Sequence, residues 1–84
     1  MVRIEPTPNP IAMKFTVGVE VGGPGTHVKG SEPDEEWAAQ LLDLNGVTSV
    51  FFTADFVTIS KTPDASWDEI TPEATRILES HFSD

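Results

Sequence analysis

The chain has 84 residues and no cysteine, so disulfides, thiolate metal sites, iron–sulfur ligation by its own thiols and cysteine nucleophiles are all excluded. Fourteen acids against five bases give a formal charge of −9 and a pI near 4.4. Such a surface repels nucleic-acid phosphates and anionic membranes and favours partners that carry a basic patch. The length fits one domain, 1–84, and a hydrophobic content of 38% that includes Trp37, Trp67 and five Phe is enough for a small core and too rich for disorder.

Val2 to Glu5 reads as a short strand, stopped by Pro6, Pro8 and Pro10, which remove donors and hold their predecessors extended. Met13 to Val21 alternates, with Met13, Phe15, Val17 and Val19 on one side and Lys14, Thr16, Gly18 and Glu20 on the other, the pattern of a half-buried strand. Gly22-Gly23-Pro24-Gly25 ends it, and the stretch on to Gly30 reads as a mobile loop. Ser31-Glu32-Pro33-Asp34 opens a first helix with Ser31 as its cap; Trp37, Ala38, Leu41 and Leu42 form its apolar face, and Asn45-Gly46 stops it. Val47–Phe52 and Phe56–Lys61 form an antiparallel hairpin around Thr53-Ala54-Asp55. Ser66-Trp67-Asp68-Glu69 has a second capping-box spacing, but Pro72 predicts either a late start or a single turn at Trp67–Ile70 before a helix from Thr71 to about Phe82. Ile70, Ala74, Ile77, Leu78 and Phe82 make its buried face.

The expected fold is α+β in two layers: a four-stranded, mixed or mostly antiparallel sheet with two helices on one face, in the order β-β-α-β-β-α. A parallel relation between the Phe15–Val21 and Val47–Phe52 strands would make it mixed, with a right-handed crossover. The second face of the sheet is left open to water. Lys14, Thr16, Thr58 and Ser60 belong on that face, and the alternation of Val57 with Ile59, and of Val50 with Phe52, puts Phe56 and Phe51 beside them. Exposed aromatics next to a lysine read equally well as a protein-contact patch or as a surface that loop or edge residues fold over.

Few residues carry chemistry. His27 and His81 are far apart in sequence, with nothing to suggest a shared metal, and both read as solvent-exposed. Asp34-Glu35-Glu36 and Asp68-Glu69 sit at helix N-termini, where dipole complementarity explains them. Asp55 reads as a turn residue, and Trp37 and Trp67 as packing residues. Gly22-Gly23-Pro24-Gly25 lacks the spacing of a phosphate loop. No catalytic residue, metal ligand or cofactor site is expected, and enzymatic turnover is the weakest of the readings. One alternative remains: Arg3, Lys14, Lys29 and Lys61, if gathered near the sheet, would make a site for a small anion or a phosphopeptide. No apolar run approaches a membrane span, and Met1-Val2-Arg3-Ile4-Glu5-Pro6 lacks the features of a signal peptide; a soluble, cytoplasmic monomer is expected.

Thr7-Pro8-Asn9-Pro10 followed by Met13-Lys14-Phe15 resembles the opening of the N-terminal domain of Nfu/NifU-type iron–sulfur scaffold proteins. Gly46-Val47, Val50-Phe51-Phe52, Asp55-Phe56-Val57-Thr58-Ile59 with Lys61, and Trp67 with Ile70 and Pro72 resemble the hairpin and last helix of that domain. Ile11 and the Gly22–Gly30 stretch depart from its pattern. In that family a second domain carries the Cys-x-x-Cys pair that holds the cluster. The resemblance therefore implies a non-ligating, non-enzymatic accessory domain of iron–sulfur assembly that meets a protein partner, a cluster-carrying Cys-x-x-Cys protein being the candidate. It implies no catalytic residue. The residues expected at the partner are Asn9, Lys14, Thr16, Phe51, Phe56 and Thr58.

Overall fold

The period-two pattern is strongest in the middle of the chain, and the fold is built outward from there. In a computed structural model that describes residues 2–82, β4 (Val47–Thr53) and β5 (Phe56–Lys61) pair antiparallel across a turn at Ala54-Asp55. Val57, Ile59 and Lys61 are buried while Phe56, Thr58 and Ser60 are half-buried, as strict alternation requires. In β4 the register shifts between Val47 and Ser49. This bulge lets both Val47 and Val50 reach the core although they are three residues apart.

On the β5 side lie β2 (Ala12–Thr16) and then β1 (Arg3–Pro6); on the β4 side lies β3 (Gly25–Val28). The sheet thus has five strands in the order β1-β2-β5-β4-β3, and every neighbouring pair is antiparallel. Of the four-stranded, mixed or mostly antiparallel sheet expected from sequence, the strand number and the mixed option are corrected. β2 and β4 do run the same way, but β5 lies between them, so no parallel ladder forms.

The expected long second strand stops at Thr16. Beyond it the chain wraps the end of the β4–β5 hairpin: Val17 N–H donates to the Asp55 carbonyl and Val21 N–H to the Ala54 carbonyl, both at 2.8 Å. Gly18 bends the path at φ +83°, and Val17 and Val21 are buried. The chain then enters β3, in the stretch read from sequence as a mobile loop. Its peptide groups are satisfied by β4, a partner remote in sequence, so no local signal announces the strand.

Helix α1 (Glu36–Leu42) begins five residues after Ser31, with Glu35 at its N-cap and no side-chain cap. Ser31 does not cap it: its N–H and hydroxyl both donate to the Val28 carbonyl, at 3.0 and 2.6 Å, closing a turn through Gly30 at φ +94°. Helix α2 (Trp67–Phe82) is continuous, with Pro72 in its second turn. The missing Pro72 N–H removes the i+4 donor of the Asp68 carbonyl, on an exposed face where water can replace it. Its start is capped as the sequence indicates, Ser66 Oγ accepting Asp68 N–H at 3.1 Å.

Both helices cover the same side of the sheet. Trp37, Ala38, Leu41 and Leu42 of α1 and Ile70, Ala74, Ile77 and Leu78 of α2 share one core with Phe15, Val50, Phe52, Val57 and Ile59. Trp37 is the hinge of the aromatic packing, edge-on to Phe52 at 5.0 Å and to Phe82 at 5.2 Å. No helix of the described residues is long and apolar enough to cross a membrane.

Candidate functional site

The sheet face away from the helices is assembled in rows by strand register. One row runs Arg3, Thr16, Phe56, Thr53; the next Glu5, Lys14, Thr58, Phe51, Thr26; the third Ala12, Ser60, Ser49, Val28. None of these residues is buried. Lys14, Thr16, Phe51, Phe56 and Thr58 therefore converge, as the alternation predicts. Lys14 Nζ lies 4.6 Å from the centre of the Phe56 ring, and the Phe51 and Phe56 rings are 6.4 Å apart. Phe51 is 38% exposed and Val28, two strands from Phe56, is 55% exposed. These two are the largest apolar side chains left open on the face.

Asn9 stands apart from the other five. It belongs to the β1–β2 connection at the end of the sheet, where it organises the turn: its Oδ1 accepts Ile11 N–H (3.2 Å) and its carbonyl accepts Ala12 N–H (3.0 Å). Thr7 joins it, its hydroxyl lying 2.9 and 3.0 Å from the Asn9 and Ala12 carbonyls and accepting Asn9 N–H at 3.1 Å. This loop is tied to α2 by Trp67, whose indole N–H donates to the Pro10 carbonyl at 3.1 Å.

The four bases considered for an anion site do not gather. Arg3 and Lys14 lie on the open face. Lys61 is on the helix side, 8% exposed, with its ammonium on the Thr62 carbonyl (3.2 Å) and 5.8 Å from the Trp67 ring. Lys29 lies just past β3 and donates to the Leu44 carbonyl at 3.2 Å. The geometry removes the support for the anion or phosphopeptide alternative.

Charge is segregated instead. Of the fourteen acids, Glu5 alone sits on an outward strand position; Glu32, Asp34, Glu35, Glu36 and Asp43 flank or belong to α1, and Asp68, Glu69, Glu73 and Glu79 belong to α2. The helix layer is acidic, while the open face carries two bases and one acid. Among the described residues, no three His, Asp or Glu side chains come together as a metal site. Two shallow depressions, of about 290 Å³ beside Lys29, Pro33 and Asp43 and about 280 Å³ beside Asn45, Thr62 and Asp64, both lie off the open face. In the second, the Thr62 hydroxyl, then a backbone N–H and then the Lys61 charge hold the Asp64 carboxyl below its ordinary value.

His27 corrects a further expectation. It points to the helix side of β3, stacks on Phe52 (5.8 Å) and meets Glu35 Oε1 through Nε2 at 2.9 Å, rather than standing free in solvent. His81 is exposed.

Comparison with known proteins decides the family. The pattern described as "Scaffold protein Nfu/NifU N terminal" matches residues 2–84. The chain belongs to this family. It is 42% identical over 86 residues to the mitochondrial NFU1 iron-sulfur cluster scaffold homolog of Drosophila ananassae, covering 98% of this chain and 30% of that protein. It is 36% identical over 89 residues to conserved virulence factor C of Staphylococcus aureus, covering 95% of this chain and 24% of that one. The chain thus spans between about a quarter and a third of the length of these relatives. Among solved structures, the Staphylococcus aureus protein SAV1430 superposes with a TM-score of 0.82 at 28% identity, over 93% of this chain and 98% of that one. A NifU-like protein from Saccharomyces cerevisiae gives 0.78 at 25% identity, over 95% and 76%.

Proposed function

We propose that this Nfu/NifU N-terminal domain is a non-enzymatic accessory module of iron–sulfur cluster assembly or delivery. It docks a protein partner on its open sheet face and leaves cluster ligation to that partner. Family membership supports the setting. The single observation that carries the docking surface is the convergence of Phe51, Phe56 and Lys14 on a sheet face that neither helix covers. Lysine over an aromatic ring and a half-open phenyl group offer an apolar, weakly cationic contact inside a polar frame of Thr16, Thr53, Thr58 and Ser60. The chain supplies no thiolate, so a cluster at this contact is held by the partner, a Cys-x-x-Cys protein being the chemistry that fits.

The double variant Phe51→Thr/Phe56→Thr keeps β-forming residues at both positions and removes the aromatic surface. Calorimetric titration with a cluster-loaded Cys-x-x-Cys domain is expected to show binding by the wild-type chain and a loss of at least about tenfold in affinity for the folded variant. Equal affinity would remove the open face from the contact.

A further inference from the structure

We propose that β3 is an edge for strand addition, taking an extended partner segment in which apolar and basic side chains alternate. The proposal rests on the reading above that the domain works through protein contact, and it specifies where and with what chemistry the partner engages.

The hydrogen-bonding capacity of that edge follows from register. Lys29 N–H donates to the Thr48 carbonyl at 2.9 Å, so in an antiparallel ladder His27 and Gly25 also face β4 while Thr26 and Val28 turn their peptide groups outward. The Val28 carbonyl fits that phase, since it accepts from the Ser31 N–H and hydroxyl. That leaves the Thr26 N–H, the Thr26 carbonyl and the Val28 N–H without a protein partner among the described residues. The opposite edge is guarded. There β1 carries Arg3, Glu5 and Pro6, the charged and donor-free residues that discourage pairing. Edge strand β3 has no such guard within Gly25–Val28, and its Val28 is 55% exposed.

An added strand would run about 4.8 Å beyond β3, and its side chains would alternate between two unlike environments. Residues opposite Thr26 and Val28 extend the open face next to Phe51 and Val28 and should be apolar. Residues opposite Gly25 and His27 turn to the helix side, where Glu35 stands 2.9 Å from His27 and Glu32, Asp34 and Glu36 adjoin it in sequence. Those residues should be lysine or arginine. A second copy of the chain does not fit, because pairing β3 with itself would bring two such acidic segments and two charges of −9 together.

The test titrates a capped hexapeptide of alternating valine and lysine into the isotope-labelled chain at low salt, with alternating valine and glutamate as the control. The expected result is slowing of Thr26 and Val28 amide exchange by at least about tenfold at saturation. The control peptide, and the variants Thr26→Pro and Val28→Lys, are each expected to weaken binding by at least about fivefold. Thr26→Pro removes an outward N–H and Val28→Lys an exposed side chain, so the second serves if the first does not fold. Binding with no protection of Thr26 and Val28, equal binding of the glutamate peptide, or no binding would overturn the proposal. Shifts confined to Lys14, Phe51 and Phe56 would overturn strand addition while leaving open-face docking intact. Protection of the same amides by raising protein concentration alone would mark a second copy as the occupant and would also overturn it.

Discussion

Phe52 explains two glycines at the approach to β3. A Cβ on Gly23 would lie 2.5 Å from the Phe52 carbonyl oxygen, and one on Gly25 would lie 2.5 Å from the Phe52 ring. Gly23 also has φ +89°, in the region where only glycine is unstrained. Gly22-Gly23-Pro24-Gly25 is therefore more than a break in the sequence pattern: its bareness lets the chain cross close over a core aromatic and enter the sheet. Gly23→Ala is expected to destabilise the fold by about 1–3 kcal/mol in chemical denaturation, combining backbone strain with overpacking against a carbonyl that cannot swing away. Unchanged stability would mean that the loop does not press on Phe52. In contrast, a Cβ on Gly18 or Gly22 meets nothing within 4 Å, so only their positive φ matters.

At the scale of elements, legibility followed the range of the interaction that fixes each one. The buried stripes of α1 and α2, the β4–β5 hairpin and the outward placing of Lys14, Thr16, Phe51, Phe56 and Thr58 are local periodicities, and all are present in the structure. What could not be read was fixed by distant partners. The ladder that makes β3 a strand comes from β4; the carbonyls that hold Val17 and Val21 come from the hairpin turn; Ser31 is taken by Val28 before it can cap a helix. His27 shows the same limit, since its Glu35 contact depends on β3 and α1 being neighbours in space. That contact, with the stack on Phe52, ties the edge strand to the helix layer. His27→Ala should loosen β3 locally, and about 1.4 kcal/mol lost there would speed exchange of the Lys29 amide about tenfold, with a smaller effect at Ile59 in the centre of the sheet. An unaltered Lys29 rate would show that the ladder alone holds the edge.

For the whole molecule, charge and aromatic surface distinguish the two faces. The helix layer is acidic, so its field attracts basic groups over a distance set by salt, whereas the open face presents Phe51 and Phe56 with Lys14 over the Phe56 ring. Two local arrangements accompany this division: Thr7 and Asn9 build a turn that Trp67 fastens to α2, and Phe51 and Phe56 are presented outward. Whether the domain meets its partner across the uncovered sheet and leaves ligation to that partner is decided by mapping amide shifts of the labelled chain during titration with a cluster-loaded Cys-x-x-Cys domain. Perturbation is expected to concentrate at Lys14, Thr16, Phe51, Phe56 and Thr58, with the cluster's absorbance unchanged. Perturbation centred on α1 and α2 with those five residues silent, or transfer of the cluster onto this chain, would contradict it.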